Sequence, residues 1–238
     1  MTWNFELPTR QLSSPQGKRS LQGQDRIKEL LVFSQSHFSA SAVNFAWLER
    51  SNRCLWVGGH IGLHQRYYDE YKTKLLPADP LGLEVMIGNR EKIFCLSRLH
   101  DSLARRGAEL LQPYGFRDEL NLVLHNHDEP VAILTVFGST PFQEELHRLK
   151  PTQRFLELFI DNHPYVRAQA CHRLLRSRYN LTEREIQVVE HILEGASNAD
   201  IAEMLNIALA TVKTHVVRVL DKTSTHTRSE LIALLKEW

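Results

Sequence analysis

The chain has 238 residues, 42% of them apolar, and 29 Lys and Arg against 28 Asp and Glu, for a net charge of +1. This is the make-up of a globular chain with one large or two ordinary domains, and it excludes a disordered segment or a strongly basic coat for nucleic acid or membrane. No apolar run approaches the roughly 20 residues of a membrane span, residues 1–10 lack the apolar core of a signal peptide, and Cys54, Cys95 and Cys171 are too scattered for a disulfide framework, so a cytoplasmic protein without a membrane partner is expected.

Residues 1–23 are polar and contain Pro8, Pro15 and Gly17, which predicts an irregular arm. Ile27, Leu30, Leu31 and Ser34 fall at helical spacing within 24–38. Val43, Phe45 and Trp47 alternate with small or polar residues, and 54–57 is a second apolar run, so a hairpin turning at 49–53 is predicted. A helix over 60–76 is broken by Pro77, and Pro80 opens another through residue 89. Residues 97–111 read as a helix with Leu99, Leu103, Leu110 and Leu111 on one side, stopped by Pro113 and Gly115. Leu120, Leu122 and Leu124 lead through a polar turn at 126–130 into an apolar strand at 131–137, the clearest hairpin in the chain. Residues 142–178 are helical in pattern, with breaks at Pro151 and Pro164. About five strands between flanking helices give an antiparallel sheet in an α+β domain.

Residues 181–238 differ. They have no strand-like alternation, no proline and one glycine, and their six basic and nine acidic side chains leave them at −3 and the rest of the chain at +4. The domains are therefore placed at 24–175 and 181–238, with a linker at 176–180. Thr182 and Glu185 form a capping box before a helix with Ile186, Val189, Ile192 and Leu193 on one face, and Gly195 ends it. Ser197 and Asp200 open a short second helix, 206–208 make a tight turn, a third helix runs over 209–222, and a fourth follows Arg228. Two short helices joined by such a turn are a helix-turn-helix. With Val212, Val216 and Val219 inward, Ala210, Lys213, Thr214, Val217 and Arg218 face outward. This stripe offers positive charge, a hydroxyl and an apolar tip, all suited to phosphates and base edges, and Lys222 extends its positive charge.

In order, Leu181-Thr182-Glu183-Arg184-Glu185, Gly195-Ala196-Ser197-Asn198, Ile201-Ala202, Thr211-Val212-Lys213-Thr214-His215-Val216 and Arg228 resemble the DNA-binding domain of LuxR-type transcription regulators. The resemblance covers about a quarter of the chain and implies an all-α four-helix domain whose third helix reads the major groove of double-stranded DNA. By position, Lys213, Thr214 and Val217 correspond to base-facing residues and Thr211 to a phosphate contact. Ala208 stands where the family has a capping serine, and Thr223-Ser224-Thr225 stand where it has Leu-Gly-Val. One helix-turn-helix reads a half-site, so a homodimer on a palindromic site is expected, with most of the dimer interface in the front domain.

The first 60 residues lack the early acidic pair of a phosphorylated receiver. Tyr67, Tyr71, Asp79 and Pro80, with Gly115-Phe116-Arg117, the following strand pair and Pro141-Phe142, resemble the autoinducer-binding domain of LuxR-type quorum-sensing regulators. That implies an α/β/α sandwich enclosing a small hydrophobic ligand such as an acyl-homoserine lactone, with Tyr67 and Tyr71 lining the pocket and Asp79 accepting the ligand's amide N–H. Tyr67 stands at the family's tryptophan position, and the segment 94–96 has no tryptophan. Asp79 also reads as the N-cap of the helix that Pro80 opens, and Tyr67 and Tyr71 as half-buried helix residues. Two functions follow: a one-component regulator controlled by a ligand, or a ligand-independent LuxR-like solo whose front domain contacts another protein. No Gly-rich phosphate loop, G-x-S-x-G elbow or spaced carboxylate pair is present, so no enzyme and no cofactor are expected. His125, His127 and Asp128 read as a polar hairpin tip rather than a metal site.

Overall fold

The computed structural model describes residues 4–6, 20–49 and 54–236. The remainder of the expected arm before Ser20 and the turn residues 50–53 lie outside the described residues. The chain divides into two compact units, Met1–Pro164 and Tyr165–Trp238.

The first unit is built on a six-stranded sheet. Its strands are β1 (Asn4–Glu6), β2 (Ala42–Glu49), β3 (Cys54–Ile61), β4 (Ile93–Cys95), β5 (Asp118–Asn126) and β6 (Glu129–Gly138), in the spatial order β1-β3-β2-β6-β5-β4. The five strands from β2 to β6 pair antiparallel, and β1 joins the edge parallel to β3. One face of the sheet carries α1 (Ser20–His37) on β2 and β3, and α5 (Lys150–Asp161) on β5. Ile27, Leu30, Leu31 and Ser34 are all buried there, as their spacing requires. The other face is covered by α2 (Gln65–Glu70), α3 (Leu83–Gly88) and α4 (Asp101–Leu111). Tyr67, Tyr68, Leu83, Met86 and Leu111 pack there with Ala46, Val123, Ile133 and Phe137 from the sheet. Helices on both faces make this an α/β/α sandwich and the whole an α+β fold.

Several elements differ from expectation. The predicted helix over 60–76 is part strand: His60 and Ile61 pair with Asn44 and Val43. Cross-strand pairing carries β3 past a bulge at Gly58 and on through Gly59, despite the low strand propensity of glycine. The helix then starts later, where His64 accepts from the Arg66 N–H, and it ends in a wide π turn at Tyr71–Leu75. The segment after Pro80 turns before it coils, so α3 begins at Leu83. β1 and β4, three residues each, are too short for alternation to reveal. Pro151 opens α5 rather than breaking a helix, because a first-turn proline loses no hydrogen bond. Leu103, read as part of an apolar face, is 42% exposed. In α4, Gly107 is a point of close approach: a Cβ there would lie 2.3 Å from Leu96 Cδ1 and 3.0 Å from Pro80 Cγ.

The second unit holds α6 (Pro164–Ser177), α7 (Glu183–Leu193), α8 (Asn198–Met204), α9 (Leu209–Thr223) and α10 (Arg228–Lys236). The division falls ahead of the 176–180 segment expected from sequence, because Leu175 and Cys171 of α6 pack with Leu181, Ile186 and Val189. Leu181 N–H also bonds to the Leu175 carbonyl.

Candidate functional site

The second unit presents a surface site. Both predicted capping boxes form, Thr182 with Glu185 and Ser197 with Asp200, and Gly195 takes the left-handed conformation, φ 88°, that ends α7. Val212 and Val219 are fully buried with Ile186, Ile192 and Ile201, and this fixes the rotation of α9. Ala210, Thr211, Lys213, Thr214, Val217 and Arg218 are consequently exposed along one side. Val217 is 57% exposed, an apolar tip standing in water. The Thr214 hydroxyl donates to the Ala210 carbonyl at 3.0 Å, which leaves its oxygen free to accept. Among the described residues neither Lys213 nor Arg218 has an ion-pair partner.

Lys222 is placed differently from the rest of the expected DNA-contact set. Its Nζ donates to the Asn180 carbonyl at 3.0 Å and to Glu185 Oε2 at 2.7 Å. The same Glu185 oxygen accepts from the Thr182 N–H and hydroxyl. Burial works to raise the Glu185 pKa, but Lys222 and Thr182 outweigh it and hold the group below the usual carboxylate range. Arg228 donates to the Ile192 and Ala196 carbonyls and so ties the start of α10 to the end of α7. Ala208 is the N-cap of α9 without a side-chain bond, and Ser224 ends the helix in the left-handed region, φ 54° and ψ 37°. Buried Thr223 fits because its hydroxyl bonds to the Val219 carbonyl and to Thr225.

The first unit holds an interior pocket between α2, α3 and the sheet, with about 460 Å³ of empty space, part of it open to solvent. Tyr67, Tyr71 and Asp79, the three residues singled out from sequence, all line it. Tyr67 is buried, with its ring centroid 5.6 Å from Tyr71, 5.3 Å from Tyr114 and 5.4 Å from Phe137. Burial raises the pKa of Tyr67 and of Tyr71, so both hydroxyls keep their protons. Asp79 does not cap α3, whose N-cap is Gly82. Its Oδ1 accepts from the Leu81 N–H at 2.8 Å, an Asx turn.

The sheet supplies a polar floor that the sequence reading missed. Tyr68 donates to Asn44 Oδ1 at 2.9 Å, Thr135 to Asn121 Oδ1 at 2.7 Å, and Asn121 Nδ2 to Glu119 Oε1 at 2.6 Å. Glu119 is 9% exposed and lines the pocket with Asp79. Burial raises Asp79 to about 6, and burial together with the charge of Asp79 raises Glu119 to about 8. A signal was present: Glu119 and Asn121 alternate with Leu120 and Leu122, which puts two polar side chains on one face of an otherwise apolar strand. At the hairpin tip His125 turns inward, its N–H and ring Nδ1 at 3.0 and 3.6 Å from Glu157 Oε1, while His127 is exposed.

An exposed basic and apolar stripe on the second helix of a helix-turn-helix is the arrangement with which such domains meet DNA. Residues 179–235 match the family described as "Bacterial regulatory proteins, luxR family", so the second unit carries that family's helix-turn-helix domain and the chain includes a DNA-binding regulatory domain. It is similar to the monoamine regulon transcriptional regulator of Klebsiella aerogenes, 28% identical over 179 residues and 71% of each chain. The tetrathionate response regulatory protein TtrR of Salmonella typhimurium is 28% identical over 62% of this chain and 68% of that protein. Among solved structures, Escherichia coli SdiA aligns over 89% of this chain and 88% of its own, with a TM-score of 0.45 and 14% identity. Among the described residues no helix is long and apolar enough to cross a membrane.

Proposed function

We propose that this chain is a one-component regulator in which a small molecule, bound in the Tyr67–Tyr71–Asp79 pocket of the first unit, controls DNA binding by the second. Two copies engage a palindromic site, each laying α9 in the major groove. Lys213, Thr214 and Val217 face base edges, and Thr211 and Arg218 face the phosphates. Lys222 is left out of this set because its ammonium is held by Glu185 and Asn180. The observation that carries the reading is the outward stripe of α9, whose rotation is fixed by buried Val212 and Val219. The pocket supports ligand control, since a concave pocket with a few converging polar groups is the usual form of a small-molecule site.

Selection of bound sites from random duplex DNA tests it. The expected product is an inverted repeat whose half-sites lie one helical turn apart. Against that site, Lys213→Ala should weaken binding and relax discrimination at one or two base pairs by about 1–3 kcal/mol. Unchanged affinity of Lys213→Ala at every sequence would place another face of α9 on the DNA.

A further inference from the structure

Three interior glutamates of this chain can be compared directly. Glu157 has Lys92 Nζ at 3.4 Å and Arg154 Nη1 at 3.1 Å, and Glu185 has Lys222 Nζ at 2.7 Å. Glu119 has only the Asn121 amide on one oxygen, and the carboxylate that shares its cavity, Asp79, has only the Leu81 N–H. Among the described residues neither has an ion-pair partner. Two carboxylates facing one low-dielectric cavity repel each other when both are ionised, and a buried charge without a partner is strongly disfavoured. The arrangement at Glu157 and Glu185 is thus repeated around the pocket with the cation left out.

A second observation points the same way. Tyr67 is 6% exposed and lines the cavity, and among the described residues its hydroxyl has no hydrogen-bond partner. The Tyr67 and Tyr71 rings stand beside the carboxylates, where aromatic faces attract a cation. Leu55, Leu83 and Met86 supply apolar wall for the rest of a ligand.

We infer that the pocket takes a small organic amine in its protonated form, with the ammonium between Asp79 and Glu119 and the apolar body against Tyr67, Leu83 and Met86. An ammonium brings three N–H donors and no acceptor. It satisfies both free carboxylate oxygens, and the Tyr67 hydroxyl accepts the third N–H. A neutral amide or lactone lacks the charge that the pair requires. The inference rests on the ligand-control reading above and names its ligand class.

The test is thermal unfolding of the full chain at pH 7.5 with butylamine, hexylamine, octylamine and 2-phenylethylamine, each against the alcohol of the same carbon skeleton, and with octanoyl-homoserine lactone. Amines at millimolar concentration are expected to raise the melting temperature of the first unit, and their alcohols to leave it unchanged. Glu119→Gln and Asp79→Asn should each weaken amine binding by at least about tenfold, while each variant still unfolds in a cooperative transition without amine. A shift with alcohols or lactone but with no amine overturns the amine and leaves ligand control standing. No shift with any compound removes both. Equal amine shifts in the parent and in Glu119→Gln would place the amine outside the pocket and overturn the assignment.

Discussion

The two units of this chain differ in where their candidate site residues lie: within the interior of the first and on the surface of the second. In the second unit the interior is largely aliphatic, and the candidate DNA-contacting side chains stand exposed on α9. Among the described residues its one deeply buried carboxylate, Glu185, is matched by Lys222 and Thr182. In the first unit several carboxylates lie inside. Asp118 is fully buried and accepts from the backbone N–H groups of Ser97, Glu119 and Phe142 and from the Ser97 hydroxyl, so it pins three segments together. Glu157 has its cations. Among the described interior carboxylates, the facing pair Asp79 and Glu119 is left short of donors. Burial alone therefore does not set Asp79 and Glu119 apart from the other interior carboxylates; the number of their donors does.

The largest expected effect tests whether Lys222 belongs with the interior rather than with the DNA surface. Lys222→Met removes the cation from Glu185 and should destabilise the second unit by about 1–3 kcal/mol, less than a fully buried pair because part of Lys222 remains in water. Calorimetry of the full chain reads this as a lower transition for that unit. A silent variant whose DNA affinity falls at all sequences would return Lys222 to the phosphate contacts.

A smaller effect separates the matched from the unmatched carboxylates by the sign of their pH dependence. The titratable groups facing Glu119 are Asp79, Asp118, Tyr67 and Tyr71. With Asp79 raised to about 6 and Glu119 to about 8, the folded first unit holds protons that the unfolded chain has released. The resulting stability is fully present below about pH 4 and is lost as pH rises through the folded values. The unliganded first unit should therefore melt at progressively lower temperature from pH 5 to pH 9, and Glu119→Gln should flatten that slope. Glu157 runs the other way. Although burial opposes it, the hydrogen bonds from His125 and Arg154 lower the group to about 2, so its contribution is present above about pH 4 and lost in acid. A melting temperature independent of pH between 5 and 9 would remove the distinction.

The smallest effect concerns the end of α9. Ser224 adopts a left-handed conformation that glycine enters without steric strain. Ser224→Gly should stabilise the second unit by about 0.5–1 kcal/mol and leave the first unit's transition where it was.

How far the sequence could be read follows the same contrast. The second unit was legible because its information is local: capping boxes, a left-handed glycine and valines at helical spacing each specify a few residues, and together they set the face of α9. The α/β/α layering and the three pocket residues Tyr67, Tyr71 and Asp79 were also legible, through their resemblance to a known domain. Glu119 was not. It sits inside the strand Asp118–Asn126, buried on both faces, and its importance comes from Asp79, forty residues earlier in the chain, which only the folded sheet brings to the same cavity. Strand β4 was missed because three residues carry no period. The division at Pro164 was missed because Leu175 is drawn to the second unit by packing rather than by composition.

The close approach at Gly107 has a consequence for the shape of the pocket. The glycine lets α4 rest against Leu96 and against Pro80, the residue next to Asp79. Any side chain at position 107 presses on that loop from the outside. A change at position 107 can therefore reshape the pocket while every lining residue is kept, through a helix that contributes none of that lining.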